Sequence, residues 1–359
     1  MRIVAIGGGT GLSTLLQGLK QYTEERTDGA GLPRAGAPVG KGAARQISDL
    51  TAVVTVSDDG GSSGRLRRDF QVLPPGDIRN CMVALSEDEG LLSRLFQFRF
   101  SGGRGLKGHS FGNLFLTALT AVTGDFQEAV KLSGEVLAIR GRIFPSTMAD
   151  ARLEAVMADG RLVQGESLIS RTRGRIARIR LAPASCRPLP QTLEAIEQAD
   201  VITVGPGSLF TSVIPNLLVE GVAGAIARSR AVKIFIANLM TQPGETAGFT
   251  ASDHLRAIEE HCGLRFFTVA LLNGAPIPLL LQRRYLAQRS RPVEVDLPRV
   301  MDMDLRVVTA DLVPENRPST APPKWVRHDP YRLARAVMSI ASRHLRRLSS
   351  RRRPAAVRK

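Results

Sequence analysis

The sequence predicts an α/β fold: a Rossmann-like, mostly parallel sheet with helices on both faces and a small antiparallel β appendage. Three observations predict it. Short apolar runs rich in β-branched residues recur at 2–6, 51–56, 200–204, 232–237 and 266–272, each of strand length. Two of these runs end in glycine loops that open helical apolar spacing. Between 152 and 182 the pattern changes to short strands, with a turn at Asp159-Gly160, as in an antiparallel hairpin.

The first run leads straight into Gly7-Gly8-Gly9-Thr10-Gly11, after which Leu12, Leu15, Leu16 and Leu19 recur at helical spacing. Glycines let the backbone approach a ligand closely, and a helix start offers unpaired N–H groups and the positive end of a dipole. The loop departs from both standard phosphate fingerprints. The sixth residue from Gly7 is Leu12 rather than glycine, and no lysine follows as in a P-loop. A tight turn without a ligand is the alternative. Four glycines in five residues, however, cost backbone entropy that a plain turn does not require.

Residues 27–46 are rich in Gly, Ala and Pro, lack a hydrophobic period and read as a flexible surface insertion. The run 51–56 ends in Ser57-Asp58-Asp59-Gly60-Gly61-Ser62-Ser63-Gly64-Arg65. Ligands of open parallel sheets bind outside the carboxyl ends of strands, and an acid pair there suits Mg²⁺ and a ligand hydroxyl. Adjacent side chains point apart, so a single acid, Asp59, is named as the metal-ligand candidate; a helix cap is the alternative. Pro74-Pro75-Gly76-Asp77-Ile78-Arg79-Asn80 is a rigid turn into a helix that Asp77 is expected to cap. Arg79 is a candidate clamp for phosphate or carboxylate, or a structural ion-pair partner. His109, framed by Gly108, Ser110 and Asn113 ahead of an apolar helix, is a candidate for polar ligand contact, or a structural histidine. Asp58, Asp59, Arg79 and His109 are thus the catalytic candidates, should the protein be an enzyme.

A short helix at 193–199 precedes the strand 200–204. Gly205-Pro206-Gly207-Ser208 then repeats the logic of the first loop, before a helical run broken at Pro215. The strand 232–237 ends in a polar loop beginning at Asn238. Residues 253–261 read as a helix, and 293–295 and 306–308 as late strands. The region 314–323 is a proline-rich link, and 324–347 holds a terminal amphipathic helix. Residues 1–323 are therefore expected to form one nucleotide-binding domain, with the appendage at about 151–182. A basic, disordered tail is expected at 348–359.

The formal net charge is +16, and residues 324–359 hold 12 Lys/Arg against one acid, Asp329. Such an end can touch nucleic acid, but no aromatic residue follows Tyr331 to stack on bases, and a solvated tail is favoured. Cys81, Cys186 and Cys262 are far apart with no C-x-x-C spacing, which argues against a zinc site or disulfide framework and suits a reduced, cytoplasmic setting. No apolar run approaches the ~20 residues of a membrane span. A homo-oligomer is left open.

Taken together, the loops at 7–11, 58–65, 74–80, 108–113 and 205–208, and Asn-Leu-Met-Thr-Gln-Pro-Gly-Glu-Thr at 238–246, resemble the gluconeogenesis factor family. That family is related to the 2-phospho-L-lactate transferases. The resemblance covers 1–25 and 49–273 well and thereafter only His328-Asp329-Pro330. It implies a cytoplasmic regulator that binds a nucleotide-sugar such as a UDP-sugar and affects carbon metabolism, cell shape and envelope synthesis. It places Gly8, Gly9, Thr10, Gly11, Asn113, Gly205, Pro206, Gly207, Ser208 and Asn238 at the nucleotide site. The transferase relatives supply an alternative, a Mg²⁺-dependent transfer of a phospho-linked group, with Asp58 and Asp59 by the metal. The insertion and the arginine-rich end depart from the family pattern.

Overall fold

The computed structural model describes residues 1–23, 47–87, 90–314 and 326–352, the last five as backbone alone. The whole insertion 27–46, most of the proline-rich link and the end of the tail lie outside the described residues.

Among the described residues, ten strands form two sheets. The large sheet contains β1 (Arg2–Gly7), β2 (Asp49–Val54), β3 (Arg142–Pro145), β7 (Val201–Val204), β8 (Val232–Ile236), β9 (Val269–Asn273) and β10 (Arg306–Ala310). Its spatial order is β10-β9-β8-β7-β1-β2-β3, with every pairing parallel. The chain therefore winds outward from β1 through β2 to β3, then returns to the other flank of β1 at β7. The reversal lies between β1 and β7, where an open α/β sheet leaves a crevice beyond its strand ends. The small sheet, β4 (Arg152–Met157), β5 (Leu162–Gln164) and β6 (Ile176–Ala182), is antiparallel in the order β5-β4-β6.

The buried runs stay apolar on both faces, as a sheet covered twice requires. In β1, Ile3 and Ala5 enter one core with the leucines of α1 (Gly9–Leu19), while Val4 and Ile6 enter the other with Ile214 and Leu217. The first core also packs α3 (Gly76–Leu85), α5 (Phe111–Thr123) and the terminal helix Pro330–Arg352. The second lies under the small sheet and the helix Ala251–Cys262.

Two expectations need correction. Residues 293–295 form no strand: Glu294 makes only an isolated bridge to Thr250. The terminal helix starts at Pro330 and runs to Arg352, so residues 348–352, expected in a disordered tail, are helical backbone.

Candidate nucleotide cleft and its carboxylate cluster

The glycine loops after β1 and β7 meet at the reversal. Gly8, Gly9, Thr10 and Gly11 from one, and Pro206, Gly207 and Ser208 from the other, line a single cleft of about 410 Å³. The two loops interlock: a Cβ on Gly11 would lie 2.3 Å from the Pro206 carbonyl oxygen. Gly9 takes φ +60°, the left-handed region that favours glycine. Asn238 fixes the second loop reciprocally. Its Nδ2 donates to the Gly207 carbonyl at 2.8 Å and its Oδ1 accepts from the Gly207 amide at 3.2 Å. Gln242 Nε2 adds a bond to Ser208 Oγ at 2.8 Å. Gly205 stands behind the wall, its amide donating to the Ile6 carbonyl.

The helix starts at this cleft are capped by the protein's own carboxylates. The Gly9 amide donates to Asp77 Oδ2 at 2.7 Å. Asp77 therefore serves α1, 68 residues upstream, and not its own helix, whose N-cap is Pro75. The Phe210 amide, at the start of the π-helical turn Leu209–Val213, donates to Glu245 Oε2 at 3.0 Å. Thr211 Oγ1 donates to the other Glu245 oxygen at 2.9 Å. Burial is the main reason Glu245 titrates above the ordinary glutamate range. Among the described residues, Thr10 and Gly11 remain as first-turn amides of α1 without a side-chain acceptor.

Beside the β1 loop lies an acid cluster. Asp58 and Asp59 point apart. Asp58 accepts from the Gly60 amide at 2.8 Å, while Asp59 accepts from the Ser167 amide at 2.8 Å and so ties α2 (Gly61–Phe70) to the small sheet. Asp77 is pushed up to about 6, first by burial and then by the Asp58 charge. Burial likewise raises Asp58. Glu166 is raised well above its ordinary value by burial, then by Asp58 and Asp77, and its sealed Oε2 has no hydrogen-bond partner. A cation would relieve each of these penalties. No three acid, histidine or cysteine side chains among the described residues form a ready ligand set. Mg²⁺ does not demand one, since it is usually held by one or two carboxylates with waters and ligand phosphates. The residues thus fit such an ion as a pair: it would take its protein oxygens from Asp58 and Asp77, whose charges act on one another, rather than from Asp59, which is spent on the Ser167 amide.

Arg79, His109 and Asn113 sit behind the acids and do not line the cleft. Arg79 is buried and spends its guanidinium on Ser110 Oγ at 2.8 Å and Asn80 Oδ1 at 2.7 Å. His109 Nδ1 bonds Ser62 Oγ at 3.0 Å, and burial, then Arg65, lowers its pKa. Asn113 Nδ2 donates to Ser63 Oγ at 3.4 Å.

The opposite wall was missed by motif reading. Tyr285, Arg327 and His328 complete the cleft. The Tyr285 hydroxyl accepts from the Val326 amide at 2.8 Å, which holds the segment before the terminal helix over the glycines. His328 is buried at the cleft wall, and burial depresses it to about 4, so at neutral pH its Nε2 donates to the Ala237 carbonyl at 3.2 Å from an uncharged ring. The only sequence signal here was His328-Asp329-Pro330; a lone Tyr or Arg outside a motif carries none.

The family model described as 2-phospho-L-lactate transferase CofD matches residues 3–313. A Bacillus subtilis protein named gluconeogenesis factor is 43% identical over 339 residues, 94% of this chain and 98% of that protein. One of the same name from Halalkalibacterium halodurans is 48% identical over 294 residues, covering 82% and 84%. A crystal structure of a Bacillus halodurans protein superposes with a TM-score of 0.83 at 42% identity, covering 94% of this chain and 99% of that one. A second crystal structure of that protein, described as a member of the UPF0052 family, gives 0.82. The chain belongs to the CofD family, with the gluconeogenesis factors among its relatives.

Proposed function

We propose that this protein is a cytoplasmic nucleotide-sugar-binding regulator whose ligand class is the UDP-sugars, acting on carbon metabolism, cell shape and envelope synthesis. The observation that carries the ligand reading is the convergence of two glycine loops on one cleft at the sheet's reversal point. Its volume lies in the range of small-molecule sites. The amides of Thr10 and Gly11 would take the diphosphate, and Tyr285 and Arg327 would close over the base or sugar. The UDP-sugar assignment is what the resemblance of the loop motifs to the gluconeogenesis factors implies. Calorimetric titration with UDP-N-acetylglucosamine, GDP and NAD tests it: the UDP-sugar should bind best, and no binding by any of the three removes the reading. Gly11→Ala, which drives a methyl into Pro206, should weaken that binding by at least about a hundredfold, the size of a misplaced clamp.

The acid cluster favours a second reading, a transferase of a phospho-linked group. Mg²⁺ bound by Asp58 and Asp77 would supply charge neutralisation at the transferred phosphate. This chain's own residues would seat the nucleotide on the first loop and hold the acids beside it. Asp58→Asn distinguishes the readings: it should abolish product formation under the second and leave nucleotide binding near wild type under the first.

A further inference from the structure

A second, larger depression of about 1190 Å³ adjoins the nucleotide cleft, between the small sheet and the helix Ala251–Cys262. The two share Ser170, Gly244, Glu245 and Gln288 as walls. Arg171, Arg173 and Arg175 follow one another at alternate positions along one bank, and Arg289 stands beyond Gln288. None of these four guanidiniums has a carboxylate within ion-pair distance among the described residues. On the opposite bank Asp253 is already paired with Arg256 at 3.4 Å, which leaves Glu260 and the buried Glu245, itself held by the Leu209–Val213 turn, as the remaining acids of the lining. Arg289 is also held at φ 59°, a left-handed conformation uncommon for any residue but glycine and enriched at functional positions. Unpaired arginines gathered along a trough repel one another and lower the cost of bringing in negative charge.

Three features select the occupant. The volume exceeds the ~300–1,000 Å³ of small-molecule sites, so a longer segment suits it better. The concave shape does not suit a flat lipid surface. Single-stranded nucleic acid would need exposed rings to stack on. Here Phe210 is buried and the half-buried Phe249 packs edge-on against both Phe210 and His254, so among the described residues the trough offers no row of open rings.

We propose that this arginine-lined trough docks an acidic segment of a partner protein, next to the ligand that the regulator senses. The proposal rests on the regulator reading only for its purpose. The shared walls give a physical route by which an occupied cleft would alter docking, since Glu245 fixes both the Leu209–Val213 turn and, through Ser170 Oγ at 3.3 Å, the arginine bank.

The test uses the full chain and a fluorescein-labelled peptide of alternating glutamate and serine, followed by anisotropy with and without UDP-N-acetylglucosamine. Arg171→Ser/Arg173→Ser/Arg175→Ser should weaken peptide binding by at least about tenfold, and added salt should weaken it in the parent. The same triple variant should keep its melting temperature and its UDP-sugar affinity. Replacing Arg351, Arg352 and Arg353 by serine should leave trough binding intact, which separates it from attraction to the basic end. Equal binding by parent and triple variant, no binding by the parent, loss with the tail variant alone, or tighter arginine-dependent binding of an oligo-dT strand would each overturn the proposal. A failed UDP-sugar titration with intact arginine-dependent peptide binding would strike the ligand reading and leave the trough standing.

Discussion

Asp77 holds the Gly9 amide from inside a buried pocket, where charge is costly. Its unfolded value near 3.8 rises to about 6 in the fold. A raised carboxylate is harmless below its unfolded pKa and increasingly unfavourable as pH climbs through its folded one. The penalty at neutral pH is on the order of 3 kcal/mol, from two units at about 1.4 kcal/mol each. Asp77→Asn keeps an oxygen for the Gly9 amide and cannot ionise. In metal-free buffer its melting temperature should exceed the parent's at pH 7.5, and the gap should close as pH is lowered below 6. A constant gap across pH would contradict this account. Millimolar Mg²⁺ should narrow the gap by restoring the parent.

The terminal helix illustrates the element scale. A Cβ on Gly18 of α1 would fall 1.9 Å from the Pro330 carbonyl oxygen, so the helices touch backbone to backbone. Gly18→Ala must push the start of the terminal helix outward, and with it Arg327 and His328. Thermal scanning should show a loss worth about 2 kcal/mol or more, as overpacking commonly costs. UDP-sugar affinity should fall in parallel, although Gly18 lies outside the cleft. The strands and both glycine loops were legible because buried parallel strands write themselves as continuous apolar runs. Asp77's role was hidden because its partner is remote in sequence, while capping rules look only along one helix. The Tyr285–His328 wall was hidden because it depends on where the terminal helix docks. Residues 293–295 misled because an apolar-acidic-apolar triplet reads as alternation even when, as here, its neighbours at Met240 and Thr250 supply single bridges rather than a continuous ladder.

For the whole molecule, buried acids and buried histidines titrate with opposite sign, and Asp77 and His328 are one such pair. His328 is depressed from 6.5 to about 4, so its neutral form stabilises the fold above its unfolded pKa, and that contribution is lost as pH falls through 4. Asp77 gains over nearly the same interval. Asp77→Asn should therefore lose stability more steeply than the parent as pH falls from 6.5 to 4, because the opposing contribution is gone; the difference between the two urea midpoints across that range measures it. Removal of residues 353–359, which include Arg353, Arg358 and Lys359 and no cleft-lining position, should leave UDP-sugar affinity unchanged by calorimetry.

Asp77 and Glu245 already occupy two of the amides that a stray orthophosphate would seek. A bare ion, with only charge to offer, competes against tethered rivals that never diffuse away. On the proposed reading, a nucleotide would bring to Tyr285 and Arg327 a base and sugar that a bare ion lacks. A site built in this way would be deaf to the commonest anions and would answer to molecules that carry a second handle.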